Sequence, residues 1–331
     1  MTFTTPADRF HPSQLPIRPL SSTSADRWGV PVQLGERRVL HRGRWRWLRA
    51  LAWLALVFFL TAAAFGLPLQ EAVDRLPPEE PALGLVGTLL ACTAALACYA
   101  LAVRLGEGRW PAELAVRPAL PGLAAGAVLG VVMMALLMGV LAATGLYDIT
   151  VVGAVPAWTG LGLALQAAVT EELWIRALLL RLLWRAFGPL PAFAIAALVF
   201  AAPHLARPGA TALAGATVAV AGLMFCSLYA LTGRLWVPIG LHFAWNLAQG
   251  YLFGAAVSGG NLGGSILLST ARPGAEAWLT GGTFGPEASL VALVLVSTVT
   301  VAALRSARKA GRFAARPHLP HTADPASSPN S

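Results

Sequence analysis

Six polar residues stand where an apolar chain should not carry them, and their types and spacing suit acid–base chemistry. Glu171, Glu172 and Arg176 interrupt a segment that is free of charge from Ala157 to Val169 and turns apolar again towards Trp184. His204 closes a second apolar run, and His242 with Asn246 lies inside a third. A charge at the centre of a lone membrane helix costs about 2.5–3.5 kcal/mol on insertion scales, so ionisable groups in such segments are by default paired, turned inward and functional. Helix geometry sorts them. Positions four apart share a face, so Glu172 and Arg176 can pair, whereas Glu171 projects about 100° away and is left over. Phe200 shares a face with His204 in the same way, and His242 with Asn246.

A carboxylate, two imidazoles and a carboxamide can support hydrolysis of an amide. Glu171 would take a proton from water, and His204 would orient that water or carry a proton. His242 and Asn246 would donate hydrogen bonds to the developing oxyanion, an effect typically worth ~3–4 kcal/mol per donor. Glu172 and Arg176 support the site as an ion pair, and Phe200 is expected to pack. No nucleophilic Ser or Cys stands out. A metal reading uses the same residues, because Glu171, His204 and His242 are adequate ligands for a catalytic zinc with an open fourth position. The usual His-Glu-x-x-His helix is absent, so the cofactor stays open between one divalent metal and none.

The elements that must position these residues follow from composition. The chain has 331 residues, of which 56% are hydrophobic and only 12% charged, with a mean hydropathy of +0.65. A soluble domain usually carries about twice that charge fraction. Apolar runs of about 20 residues, enough to cross a hydrocarbon core of about 30 Å, occupy 51–69, 81–103, 119–146, 157–185, 187–206, 211–232, 235–256 and 287–304. The expected fold is all-α, a polytopic membrane bundle of about eight transmembrane helices. At 1.5 Å per residue, Glu171 lies roughly 15 Å from Arg181 and His242 roughly 12 Å from Arg234, so the two can meet. His204, roughly 22 Å from Pro189 on that scale, comes out deeper.

Charge sets the orientation. The net charge is +9 and the pI near 10.6, but the arginines cluster at the ends of apolar runs and form no stripe with interleaved aromatics, which argues against nucleic acid. Arg37, Arg38, Arg42, Arg44, Arg46 and Arg49 precede the first run, and Arg104, Arg109, Arg117, Arg181, Arg185, Arg234 and the tail from Arg305 fall in alternate loops. By the positive-inside rule, both termini are cytoplasmic in a multi-pass protein of the cell membrane, and the site is expected to be reached from that side. Arg207 and Arg272 are exceptions in loops placed outside. The expected organisation is a disordered arm over 1–43, N-terminal membrane helices over 44–150, a catalytic membrane core over 151–305 and a disordered tail over 306–331. Ser258 to Gly285 reads as a long loop. Cys92, Cys98 and Cys226 have no Cys-x-x-Cys spacing and suit buried thiols.

Glu171-Glu172-x-x-x-Arg176, then Phe200-x-x-x-His204, then His242-x-x-x-Asn246, in that order on membrane helices, resembles the CPBP family (CAAX protease and bacteriocin-processing, or Abi) of intramembrane proteases over about residues 155–300. The resemblance implies an endopeptidase in which Glu171 activates water, His204 assists, and His242 and Asn246 stabilise the oxyanion, with Glu172 and Arg176 supporting. It implies membrane lipid and a membrane-associated peptide or protein, prenylated or a peptide precursor, as partners, and no nucleic acid. The other readings of these residues are a membrane scaffold or immunity protein without catalysis, and a proton-coupled transporter with Glu171 as carrier. No internal repeat supports the last of these.

Overall fold

The computed structural model describes residues 29–41, 43–75, 81–153 and 156–313. It is a bundle of helices: α1 (Arg46–Arg75), α2 (Pro81–Ala102), α3 (Ala119–Ala143), α4 (Trp158–Glu171), α5 (Arg181–Phe187), α6 (Pro189–Ala201), α7 (Ala212–Thr232), α8 (Trp236–Leu247), the short α9 (Ala277–Thr280) and α10 (Leu290–Lys309). A π-helical stretch, Glu172–Leu180, joins α4 to α5 without a break. Six helices are long and apolar enough to cross a membrane. The two expected spans outside that count are the rod from Trp158 to Phe187 and the helix from Trp236, which carry Glu171, Glu172, Arg176, His242 and Asn246. Leu56, Phe59, Leu90, Leu136 and Leu198 point outward, as they do in a protein whose solvent is lipid.

Small residues set the closest packing. Gly122, Gly126 and Gly130 repeat every fourth residue on α3 and meet α8, with Gly240 of α8 opposite. A Cβ on Gly126 would stand 2.2 Å from the Val237 carbonyl oxygen, and one on Gly240 would stand 2.3 Å from that of Leu123. Lipid tails give no hydrophobic drive between helices, so backbone contact of this kind holds them together. It fixes α8, which carries His242 and Asn246. α4 packs between α2 and α8, and α7 between α6 and α10.

A charged knot closes the arginine-rich end. Arg181, fully buried, binds both oxygens of Glu107 (2.9 and 2.5 Å) and the carbonyl of Ala177. Arg109 binds Glu107 and is bidentate on Glu113, which also accepts from Tyr99. Burial alone would raise the Glu113 carboxyl's pKa, but the hydrogen bond and charge of Arg109, with Arg181 and Tyr99 behind them, hold it below the ordinary carboxylate range. Arg181 is therefore a buried ion-pair residue, not a loop charge.

Three expectations change here. The arm over 1–43 lies outside the described residues through Trp28, but from Gly29 to Leu40 it is strapped across this end. Its carbonyls accept from Arg181 (Leu34), Arg185 (Gly35 and Leu40) and Arg312 (Gly29), and Val32 and Leu40 are buried. The cause is that buried arginines still need acceptors, which the strap supplies. The tail over 306–331 is packed as far as Phe313, which stacks on Trp184, and its remainder lies outside the described residues. The loop from Ser258 to Gly285 contains strand β2 (Leu267–Ala271), paired antiparallel with β1 (Tyr147–Val151) in the register Tyr147↔Ala271 to Val151↔Leu267. Ile, Thr and Val in β1 suit a pleated ribbon, and Asp148 binds Arg272 beside it at 2.9 Å.

Candidate active site

Glu172 opens the π-helical stretch and is fully buried. Local widenings of this kind are frequent at functional sites because they re-aim side chains without ending the helix. The pairing expected from spacing is present: Arg176 Nη1 donates to Glu172 Oε1 at 3.1 Å. The same oxygen lies 3.0 Å from His242 Nδ1, so Glu172 joins the rod to α8 as well as to its own helix. Arg176 lies between two aromatic faces, with its Cζ 4.3 Å from the Phe200 centroid and 4.9 Å from that of Phe225. Phe225 in turn stacks on His242 at 5.0 Å. Phe200 thus packs, as expected, and what it packs on is the guanidinium.

Glu171 points into the bundle. Its side chain is 33% exposed, and Oε2 lies 3.9 Å from His242 Nε2, beyond hydrogen-bond length. That oxygen is buried and has no hydrogen-bond partner among the described residues. Two adjacent glutamates, about 100° apart on the helix, thus face the two nitrogens of one imidazole. One is committed to it and the other is not.

His204 lies past the end of α6, on a 3₁₀ turn (Ala202–Ala206). Its Nδ1 is 2.9 Å from the Phe200 carbonyl oxygen, which folds the ring back along the helix. A ring N–H donated there leaves Nε2 as the free nitrogen. Asn246 lies one turn beyond His242, half-buried.

Glu171, His204, His242 and Asn246 line one cavity of about 330 Å³ together with Phe200, Phe225 and Trp245. Among the described residues no three His, Cys, Asp or Glu side chains are gathered as a metal would require. The zinc set of Glu171, His204 and His242 is thus not gathered in this structure.

Sequence reasoning missed Glu287. It lines the cavity and accepts from Ser258 N (2.7 Å), Ser258 Oγ (2.8 Å) and Trp245 Nε1 (3.3 Å), which ties the loop after α8 to the residue beside Asn246. Its one signal was an acid just before the last span, two residues ahead of the helix cap Ser289.

The cavity lies at the end of the bundle opposite the charged knot. Its walls come from the first half of the rod (Leu163 to Glu171), the far ends of α6 and α8, Arg207 and the loop from Val257 to Leu262. Arg104, Arg109, Arg117, Arg181, Arg185 and Arg234 belong to the other end.

Residues 153–248 match the family model described as type II CAAX prenyl endopeptidase Rce1-like. That stretch holds all four of these cavity residues as well as Glu172 and Arg176, and it agrees with the resemblance carried by the motifs. No curated protein and no solved structure matches the chain significantly. The match and the six apolar helices support an integral membrane protein with, in general terms, intramembrane protease activity.

Proposed function

We propose that this protein is an intramembrane endopeptidase that cleaves a membrane-associated peptide, prenylated or a peptide precursor, with water activated by Glu171. The observation that carries the reading is the Glu171 oxygen, buried, without a partner and 3.9 Å from His242 Nε2 in the cavity, next to a glutamate whose Oε1 is already held by Arg176 and His242. A gap of that size holds one water at about 2.8 Å from each atom. Glu171 takes the proton as that water attacks the carbonyl carbon, and His204 Nε2 orients the water or passes a proton on. Asn246 donates to the oxyanion through its amide, and His242 does so through Nε2 when protonated, with Glu172 holding Nδ1. The proton on Glu171 then goes to the leaving amine.

The distribution of arginine supports an orientation with both termini cytoplasmic, in the cell membrane. In that orientation the cavity faces the extracytoplasmic side, so the peptide approaches from there.

The test is turnover of an internally quenched, lipid-anchored peptide by the protein in nanodiscs. Glu171→Gln is expected to lower turnover at least about 100-fold, with His204→Ala and His242→Ala also impaired. Wild-type turnover in the Glu171→Gln protein would remove the proposed base.

A further inference from the structure

A second hollow opens on the outer side of the bundle, towards the arginine-rich end. It encloses about 600 Å³ between α6, α7 and α10 and shares no lining residue with the cavity that holds Glu171. Its floor is low because small residues form it. Leu190, Ala194 and Ala197 follow one another along one face of α6, and Ala219 and Leu223 face them from α7. The two helices already touch there, since a Cβ on Gly222 would stand 3.0 Å from the Ala197 Cα, so they cannot close the space by moving together.

Arg308 is the one charged residue in that lining. It belongs to the last turn of α10, its side chain is exposed, and no hydrogen bond or ion pair joins its guanidinium to another described residue. Arg312, one turn further on, is buried and donates to the carbonyls of Leu231 and Gly29. Those bonds fix the chain after α10. Phe313, which walls the mouth of the groove, packs on Trp184 and Phe193 at centroid distances of 5.5 and 5.8 Å. The free guanidinium thus stands at the mouth of a groove whose walls are set, and a group on a fixed base is pre-organised for recognition.

The depth fits one lipid chain. The lining runs down α6 from Pro189 to Leu198, about 14 Å at 1.5 Å per residue. Half of a hydrocarbon core of about 30 Å is about 15 Å. The groove is therefore as deep as one leaflet, and Arg308 is at the end where lipid phosphates lie. Apolar walls give little preference among lipids, because every acyl chain in a bilayer is already in hydrocarbon. Charge supplies the preference: a guanidinium takes phosphate oxygens in bidentate fashion, and Arg305 and Lys309, exposed on the same two turns, add to the positive field.

We infer that this groove is a binding site for an anionic phospholipid, with one acyl chain lying along α6 and the phosphate on Arg308. The inference is independent of the endopeptidase reading, since none of the groove's residues belongs to the cavity.

The experiment uses the full chain in phosphatidylcholine nanodiscs with a trace of lipid that carries a diazirine in its acyl chain. The head of that lipid is either phosphatidylglycerol or phosphatidylcholine, and labelled peptides are mapped by mass spectrometry after illumination. Wild type is expected to take label on residues 190–198 and 219–223 about fivefold more from phosphatidylglycerol than from phosphatidylcholine. Arg308→Ala removes a side chain with no protein partner, so it should melt like wild type and bring the two lipids to equal labelling there. Arg308→Lys should keep part of the preference. Ala194→Trp fills the groove from an exposed position and should lower label on 219–223 from both lipids. Label on the outer face of α1, whose start is also rich in arginine, should be unaffected by Arg308→Ala; an equal loss there would show a general field and no site. Equal labelling in wild type, a preference that survives Arg308→Ala, or label on 219–223 that survives Ala194→Trp would overturn the inference. So would the absence of label on both groove segments, which would mean that protein covers them.

Discussion

Glu172→Gln should destabilise the protein far more than Glu171→Gln, although the two residues are neighbours. Glu172 is fully buried, and its Oε1 accepts from Arg176 at 3.1 Å and faces His242 Nδ1 at 3.0 Å. Without that charge, the buried guanidinium keeps the Gly222 carbonyl at 3.4 Å, the Cys226 thiol and the two rings it already touches, none of them an anion. Removing one partner of a buried pair costs about 3–5 kcal/mol because the other charge is stranded. Glutamine still offers an oxygen, which places the loss at the lower end, about 3 kcal/mol. At roughly 2 °C per kcal/mol for a chain of this size, Tm falls by about 6 °C. Glu171→Gln strands nothing and should stay within roughly 0.5 kcal/mol, or about 1 °C. A thiol-reactive dye reads both in detergent, since Cys92 and Cys226 are buried until the bundle opens. Adding Arg176→Met to Glu172→Gln should recover stability by removing the stranded charge. Equal Tm shifts for the two single variants, or a double variant less stable than Glu172→Gln alone, would refute the reasoning.

Two further outcomes follow from the scaffold. Gly126→Leu should destabilise by about 3 kcal/mol and lower turnover, because its Cβ would meet the backbone oxygen of Val237 at 2.2 Å, while Gly139→Leu, with nothing within 4 Å, should melt like the wild type. Glu113→Gln tests the charged knot by pH: the folded carboxyl's pKa lies below its unfolded value, so its contribution is fully present above about pH 4.3 and is lost as pH falls through the depressed folded value. The gap in Tm between wild type and Glu113→Gln should therefore be constant from pH 8 to about 5 and narrow below about pH 4. A gap that widens in acid would contradict the sign.

The helical membrane class was legible because runs of about 20 apolar residues admit few other readings, and the Glu172–Arg176 pair was legible because four-residue spacing fixes a shared face. The link from Glu172 to His242 was not, since helix periodicity says which face a residue occupies and nothing about which helix lies opposite. The Gly122, Gly126, Gly130 ladder was in plain view as a small-residue repeat and would have paired α3 with a second glycine-bearing helix. Reading Arg181 and Arg109 as topology charges failed for a different reason. Hydropathy counts an arginine in a loop and a buried arginine alike, and only the positions of Glu107 and Glu113 tell them apart. The β1–β2 pairing joins segments about 120 residues apart, where short apolar strands are hidden among longer apolar runs.

Taken from its arginine-rich end, the rod from Trp158 to Phe187 has its charges tied down one after another. Arg185 holds the strap, Arg181 holds Glu107, Arg176 lies between two rings, and Glu172 holds both Arg176 and His242. Each tie satisfies a polar group that would be costly to bury alone, and together they fix the rod's rotation and depth against α2 and α8. Glu171 is the first acid beyond the last tie. Its Oε2 has no hydrogen-bond partner among the described residues, and so that carboxylate remains free for a water. Were the ties only a matter of stability, apolar side chains would serve as well or better. Their use here is registry: they hold one unpartnered acid 3.9 Å from one imidazole nitrogen in a cavity at the opposite end from the knot that anchors it.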